Sequence, residues 1–464
     1  MRIFLIQASQ YSPQTERSMP LGLLYLASFL REKRKCAVGL HDMQLLEKSP
    51  QPAVAAALDF MPELIAISGM TADARVIDEL ATALKCALPD VPLVVGGAHA
   101  TNYTEQVIAN PAVDSVIVNE GELALAAYID HLVAGQASAQ VPNLVFREEG
   151  KIVRSPAAEY IDDLDALPFP AFDLLDLEAY YRLPRCGVIY RHRRYAAIIS
   201  SRGCPYRCAY CHQIHGKKWR ARSAANVLDE MESLRARYEV RDFVFMDDLF
   251  NLSVERVEAI AQGILDRRLS IGLHFPIGLR GDIMTENSVR LLKDAGMYRC
   301  MYAVETASER LQNEIGKNNN LTKLKHIIDF TRRQGILVHG SFMLGFPTET
   351  EKEARATIDF ALHSRLHTAA FYRVVPFQGT RLHQMAIAAG SVMPNDLSRY
   401  EFHIANNINI SAMSDRMLSH LKRLAYRRFY LSPWRIFAIL RDMPNRWRLL
   451  PNLLLIWVRK SFIW

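Results

Sequence analysis

The chain has 464 residues, half of them apolar and 23% charged, with a formal net charge of +7. That length allows two or three domains, and the absence of low-complexity tracts and of repeats at solenoid periods excludes a disordered or array architecture. The charge excludes a basic groove in the main body: ten Lys/Arg against the single acid Asp442 lie between Leu421 and Trp464, so this tail carries +9 and the rest of the chain about −2.

The opening MRIFLIQAS is too short for a signal-peptide apolar region and reads as a first strand. A cytoplasmic, reducing location is therefore expected, with the seven cysteines as thiols or metal ligands. Strands are predicted at Ile3–Gln7, Val38–Asp42, Leu64–Ser68, Pro92–Gly97 and Ser115–Asn119, separated by helical patterns such as PLGLLYLASFLREKR and DARVIDELATALKCALP. This alternation predicts an α/β domain over 1–140, an open parallel sheet of Rossmann-like, flavodoxin-like type covered on both faces. Ligands of such sheets bind beyond the carboxyl ends of the strands. Those ends carry Ser68-Gly-Met70-Thr71, Gly96-Gly97-Ala-His99 and Asn119-Glu120-Gly121-Glu122. No GxGxxG follows the first strand, which argues against a dinucleotide.

The segment 141–194 reads as a connector, with a hairpin turning at Glu149-Gly150. Six further strands are predicted over 195–390: Tyr195–Ser200, Asp242–Asp247, Gly272–Arg280, Tyr298–Glu305, Ile336–Leu344 and Ala369–Val375. Helical patterns between them imply a (βα)6 partial TIM barrel with its chemistry at the carboxyl ends of the strands. The region 391–464 is expected to be helical, basic and aromatic.

The stretch CPYRCAYCH, Cys204 to His212, falls just beyond the first barrel strand. Its C-x3-C-x2-C spacing is open to three readings. Covalent haem attachment through CAYCH requires export, which the N-terminus does not support. Structural zinc on three thiolates and His212 is at odds with the usual two separated ligand pairs. An iron–sulfur cluster on Cys204, Cys208 and Cys211 would leave one iron without a protein ligand. The remaining Cys36, Cys86, Cys186 and Cys300 are scattered, and most of them read as buried thiols.

The motif and its position closely resemble the radical S-adenosylmethionine family. The resemblance implies a 4Fe–4S cluster on the three cysteines, with S-adenosylmethionine chelated by the fourth iron. It implies cofactor contacts for Tyr210, for Asp247 and Asp248 of FMDDLF, and for Arg280 and Glu305 at the next strand ends. In this chain MDDLF stands where the family carries a glycine-rich string. The plainer reading of Asp247, Arg280 and Glu305 is helix capping or mutual ion pairing. LGFPTET, Leu344 to Thr350, resembles the family's turn after the fifth strand.

The N-terminal domain resembles the cobalamin-binding domain fused to many such enzymes. The resemblance implies cobalamin contacts for Ser68, Met70, Thr71, Gly96, Gly97, His99, Asn119, Glu120 and Gly121. The D-x-H-x-x-G loop of other cobalamin proteins is absent after the first strand, so His99 is assigned to packing or the nucleotide tail rather than to cobalt. The implied activity is methylation of an unactivated carbon of a small-molecule or lipid-like substrate. The electron donor would be of flavodoxin or ferredoxin type. A radical cyclase or rearrangement enzyme is the alternative.

Two rivals fare worse. A tRNA methylthiotransferase needs a second cysteine triad and a basic RNA face, and a cobalamin-binding sensor has no use for an open iron. The tail interleaves Trp and Arg with Leu and Ile, which suits either a helical pack over the barrel or peripheral contact with an anionic membrane.

Overall fold

The computed structural model describes residues 1–10, 17–45, 47–134, 138–157, 160–183, 189–391, 409–445 and 447. Cys186 and the tail beyond Trp447 lie outside the described residues. The chain forms two compact units. One comprises the described residues of Met1–Arg185 with His212–Lys218, the other those of Cys186–Cys211, Trp219–Pro394 and Ile404–Trp464.

In the first unit, β-branched runs form β1 (Arg2–Gln7), β2 (Ala37–Asp42), β3 (Leu64–Ser68), β4 (Leu93–Gly96) and β5 (Ser115–Ile117), followed by β6 (Leu144–Glu148) and β7 (Lys151–Arg154). They make one sheet ordered β2-β1-β3-β4-β5-β6-β7. The first five strands are parallel and the last two antiparallel. The order of the first five is flavodoxin-like, and it places the ligand crevice where the winding reverses, beyond the ends of β1 and β3. The hairpin turns at Glu149 and Gly150, both at positive φ (49° and 78°), a backbone that matches strand twist. It pairs into this sheet through β5.

Helices α1 (Leu21–Arg34) and α6 (Glu122–Ala134) pack on each other, as do α2 (Gln51–Phe60) and α3 (Ala74–Ala87). Two short helices, α4 (Gly97–Asn102) and α5 (Thr104–Ala109), follow β4, and α7 (Leu177–Tyr180) ends the unit. Helix α3 puts Ile77, Leu80 and Leu84 into a core with Ile65, Ile67 and Val95 of the sheet. Burying each such side chain contributes about 1.5–3 kcal/mol.

The second unit is a six-stranded, all-parallel sheet ordered β15-β14-β13-β12-β11-β8. Its strands are β8 (Tyr195–Ile198), β11 (Asp242–Phe245), β12 (Gly272–Leu279), β13 (Met297–Glu305), β14 (Leu337–Leu344) and β15 (Thr368–Arg373). A two-stranded ribbon, β9 (Ser201–Arg202) with β10 (Arg220–Ala221), follows β8. The helices are α8 (Ala224–Tyr238), α9 (Val254–Asp266), α10 (Glu286–Asp294), α11 (Glu309–Glu314), α12 (Leu321–Arg333), α13 (Glu351–His363), α14 (Arg381–Ala388), α15 (Asp415–Tyr430) and α16 (Pro433–Asp442). Each helix from α8 to α15 begins after a Ser, Thr or Asn whose side chain accepts the amide of the third helical residue. Such caps contribute about 1 kcal/mol each and fix where every βα loop stops.

The sheet does not close, so β15 is an edge whose free amides and carbonyls need partners. Two tyrosines on α15 supply them. The Tyr430 hydroxyl accepts from Ala369 N at 3.1 Å and donates to Ala369 O at 2.7 Å; that of Tyr426 accepts from Phe371 N at 3.1 Å. Arg435, in the first turn of α16, is buried and donates to Leu366 O at 2.7 Å and Ala361 O at 3.1 Å, covering carbonyls at and just after the end of α13. Part of the basic tail is therefore structural. No described helix is long and apolar enough to cross a membrane.

Replacing both Tyr426 and Tyr430 by Phe strands two buried backbone amides, at about 1–3 kcal/mol each. The double variant is expected to unfold at lower urea concentration with an unchanged slope; an unchanged midpoint would show that the edge needs no hydroxyls.

Candidate active site

The cysteine loop is clamped from several directions by elements far apart in sequence. The Gly203 amide, just before Cys204, donates to Asp248 Oδ2 at 3.0 Å. The Arg280 guanidinium lies 3.8 Å above the Tyr206 ring. Ala209 donates to Ile315 O at 2.7 Å and accepts from Leu382 N at 2.8 Å. Gly316 has φ of 67°, and a Cβ there would meet Arg207 O at 2.8 Å, so only glycine allows the loop to lie against this turn. Cys204 and Cys208 are half-buried and Cys211 is exposed.

The electrostatics favour a thiolate at the middle cysteine. The Cys208 thiol is lowered to about 6, first by the hydrogen bond from Cys211 and then by the Lys317 charge, against the effect of burial. Cys211, the donor of that bond, is raised well above the usual thiol range. Tyr210 is also raised, by burial and by the neighbouring Glu305 and cysteines; its ring lies 6.3 Å from that of Phe346. Among the described residues no three His, Cys, Asp or Glu side chains converge closely enough to hold a single metal ion. A cluster, whose irons each take their own thiolate, needs no such convergence.

The strand-end charges divide into two kinds. Asp247 is buried, and its Oδ1 accepts from Ser200 N at 3.0 Å, Ser200 Oγ at 2.7 Å and Ser201 Oγ at 2.6 Å. Burial raises its carboxyl. Arg280 donates to Asp282 at 2.9 and 3.1 Å, to Lys317 O at 2.9 Å and to Asn318 O at 2.8 Å. Both side chains hold the loops around the cysteines. Glu305 is different. It ends β13 at φ of 65°, a strained backbone for a non-glycine residue, at a register shift against β14. Its buried carboxyl has Ser341 Oγ at 3.4 Å and Lys317 Nζ at 4.0 Å. Burial raises it and Lys317 opposes the rise.

Lys317 carries no motif, and Glu349, although inside the LGFPTET turn, was not picked out as an individual residue. The signal for Lys317 was its place in the GKNNN turn after α11, which only the fold brings to the cysteines. Glu349 sits in LGFPTET and is buried. Its Oε2 accepts from Gly345 N at 2.5 Å and Phe346 N at 3.3 Å, while Oε1 has no hydrogen-bond partner. Burial pushes it up to about 7.

In the first unit, the residues expected at the ligand rim stand at the ends of β3, β4 and β5. Gly97 has φ of 84°, and a Cβ there would lie 2.4 Å from Ser68 Oγ, so the loop admits backbone approach that a side chain would block. Thr71 is buried and Met70 exposed. Thr101 Oγ accepts from Asn119 N at 2.9 Å, and Asn119 has φ of 63°. Gly121 faces Leu26, whose nearest atom would be 3.3 Å from an added Cβ. Glu120 is engaged internally, accepting from Ile161 N at 3.2 Å and bonding His215 Nδ1 at 3.2 Å. His99 is buried, stacks on Tyr103 at 5.2 Å and leaves Nδ1 without a partner. Burial lowers it to about 4, so it stays neutral. A buried neutral imidazole with an unmatched nitrogen, beside a glycine-lined rim, fits a polar ligand chain laid against the strand ends.

Residues 198–361 match the model of the Radical SAM superfamily, and 16–129 match that of the B12 binding domain. The chain is 29% identical over 425 residues to an uncharacterized methyltransferase of Pyrococcus horikoshii, covering 89% of this chain and 88% of that one. It is 23% identical to the anaerobic magnesium-protoporphyrin IX monomethyl ester cyclase of Rubrivivax gelatinosus, covering 93% and 78%. Among solved structures it is similar to the radical S-adenosylmethionine methyltransferase TsrM of Kitasatospora setae, with cobalamin and a [4Fe-4S] cluster bound. The TM-score there is 0.69 at 19% identity, over 85% of this chain and 76% of that one.

Glu349 makes a pH dependence testable. Its folded value of about 7 lies above the ordinary 4.5, so between those values the folded state holds a proton that the unfolded state has lost. Stability therefore falls as pH rises from about 4.5 to 7 and levels off above. Glu349→Gln is expected to match the parent near pH 4.5 and to be more stable by roughly 1–3 kcal/mol at neutral pH, measured by urea titration across the range. A constant difference at all pH values would contradict the assignment.

Proposed function

Because the chain belongs to the radical S-adenosylmethionine enzymes that carry a B12-binding domain, we propose that it transfers a methyl group to an unactivated carbon of a small molecule. The observation that carries this reading is the cysteine loop: three thiols on one clamped turn, beside a strained buried carboxylate and a lysine. When bound, the 4Fe–4S cluster and S-adenosylmethionine would supply a carbon radical, and cobalamin a methyl group.

In this reading Cys204, Cys208 and Cys211 hold the cluster as thiolates, and Lys317 offsets the negative charge they gather. Glu305 is presented by its left-handed backbone to accept hydrogen bonds from the cofactor's amino group, while Tyr210 packs beside it. Asp247, Asp248 and Arg280 act as positioning residues, fixing the ends of β8 and β11 and the turn at 316–318. In the first unit Gly96 and Gly97 let cobalamin lie against backbone, and His99 offers an uncharged nitrogen to its polar tail. Ser68, Thr71, Asn119 and Gly121 shape the same rim, and the clamped loops limit water at the reacting carbon.

The cyclase relative supports a second reading, ring formation by the same radical. Methyl transfer would consume two molecules of S-adenosylmethionine, one leaving as methionine and deoxyadenosine and the other, the methyl donor, as S-adenosylhomocysteine, whereas cyclisation would release methionine and deoxyadenosine without S-adenosylhomocysteine. The ratio of S-adenosylhomocysteine to deoxyadenosine separates these readings.

The test uses protein purified without oxygen and reconstituted with iron, sulfide and hydroxocobalamin. About four irons and one cobalt per chain are expected, with deoxyadenosine formed from S-adenosylmethionine under dithionite. Cys208→Ala should abolish both iron loading and deoxyadenosine while leaving cobalt bound. Glu305→Gln should keep the iron and raise KM for S-adenosylmethionine on the order of tenfold or more, the cost of a charge-assisted hydrogen bond. Zinc in place of iron would overturn the reading.

A further inference from the structure

Among the described residues, helices α15 and α16 bury one side and leave the other exposed. On α15 the buried residues are Leu418, Leu421, Ala425, Tyr426, Phe429 and Tyr430. The solvent side carries Arg416, His420, Arg423 and Arg427, all exposed. Their spacing of four, three and four residues places them along a single stripe. No Asp or Glu occurs from Arg416 to Trp434, so nothing on this stretch neutralises the stripe.

The stripe runs on into exposed apolar residues. Leu431, four beyond Arg427, is 41% exposed, and Trp434 and Phe437 on α16 are 49% and 63% exposed. On α16 itself Trp434, Phe437 and Arg441, the last paired with Asp442, recur at three and four residues and so share one face. Trp434 receives the Arg332 guanidinium 4.1 Å from its ring, which steadies the indole and brings a further cation to the patch. Beyond lies Trp447, 84% exposed, and then RLLPNLLLIWVRKSFIW, which continues the pairing of Trp and Leu with Lys and Arg.

Exposed Trp and Phe cost free energy in water and contribute little to the fold here, since the packing of α15 and α16 is carried by other residues. A row of cations ending in ordered aromatics is complementary to one kind of surface, where phosphate charge lies directly above hydrocarbon. Nucleic acid would use the cations but has no use for an aliphatic tail of this length.

We infer that the solvent face of α15 and α16 is a docking surface for an anionic lipid bilayer. Arg416, Arg423 and Arg427 meet the headgroups, and Leu431, Trp434 and Phe437 enter the interface. The chain then lies on the membrane without crossing it. This assignment is independent of the reaction, because none of these residues belongs to the candidate active site.

The full-length protein is sedimented with vesicles of phosphatidylcholine alone or of phosphatidylcholine mixed with phosphatidylglycerol, at low and high salt. Binding is expected to the mixed vesicles only and to weaken with salt. Arg423→Gln with Arg427→Gln should weaken it on the order of tenfold or more. Trp434→Ala with Phe437→Ala should lower the fraction that stays bound at high salt. Circular dichroism melts confirm that the variants are folded, and the lipid and salt dependence of the parent tests the inference without any variant. Equal binding to both vesicles, variants that bind like the parent, or capture by RNA in preference to the mixed vesicles would each overturn it.

Discussion

A parallel sheet is buried on both faces, so only the loops at its carboxyl ends can gather side chains from distant parts of the chain. Nearly everything at the candidate active site follows from that constraint. The cysteines come after β8, Asp248 after β11, Arg280 after β12, Glu305 at the end of β13, and Glu349 after β14. Residues as far apart in sequence as Ala209 and Leu382 share a hydrogen bond because six strands start together and end together. The N-capped helices reinforce the arrangement, since each loop must finish at a fixed Ser, Thr or Asn.

Crowding charges into those loops has an electrostatic cost, and the molecule meets it by pairing. Asp247 is surrounded by serine donors, and Arg280 is divided between Asp282 and two carbonyls. Arg222 and Glu230 form a buried pair beside them. Asp247 Oδ1 and the Arg280 guanidinium are thereby committed, while Asp247 Oδ2 is buried without a hydrogen-bond partner. Glu305 and Lys317, 4.0 Å apart, are held more loosely, and Glu305 takes a left-handed backbone at the end of its strand. Strain in a residue the structure over-determines is a common mark of a working site. The contrast between charges bonded tightly to the loops and charges held loosely separates scaffold from site more clearly than position at a strand end does.

The same contrast explains what could be read from the sequence. Strands such as Leu64–Ser68 are short β-branched runs between helical patterns, and their bounds depend on local composition. The C-x3-C-x2-C spacing is likewise local, so the cysteine loop was visible at once. The partners of Asp247 and Arg280 were not. Periodicity locates a strand end but says nothing of which donors the fold delivers there, and serines two residues along a neighbouring strand leave no mark. Lys317 was hidden in a polar turn for that reason. In the tail the composition allowed a helical pack over the barrel but not its partners: Tyr426, Tyr430 and Arg435 face inward and bond the backbone at and beside the last strand.

Those two tyrosines make α15 a ruler. Four helical residues advance about 6 Å, close to the roughly 6.6 Å covered by two strand residues, so Tyr426 and Tyr430 reach Phe371 and Ala369 together. One residue added between them would swing a hydroxyl about 100° around the helix and leave its strand carbonyl and amide bare. A sheet edge is ordinarily where a fold tolerates changes of length most easily. Here the edge is matched to a helix by pitch, and insertions can be absorbed only before Tyr426 or after Tyr430.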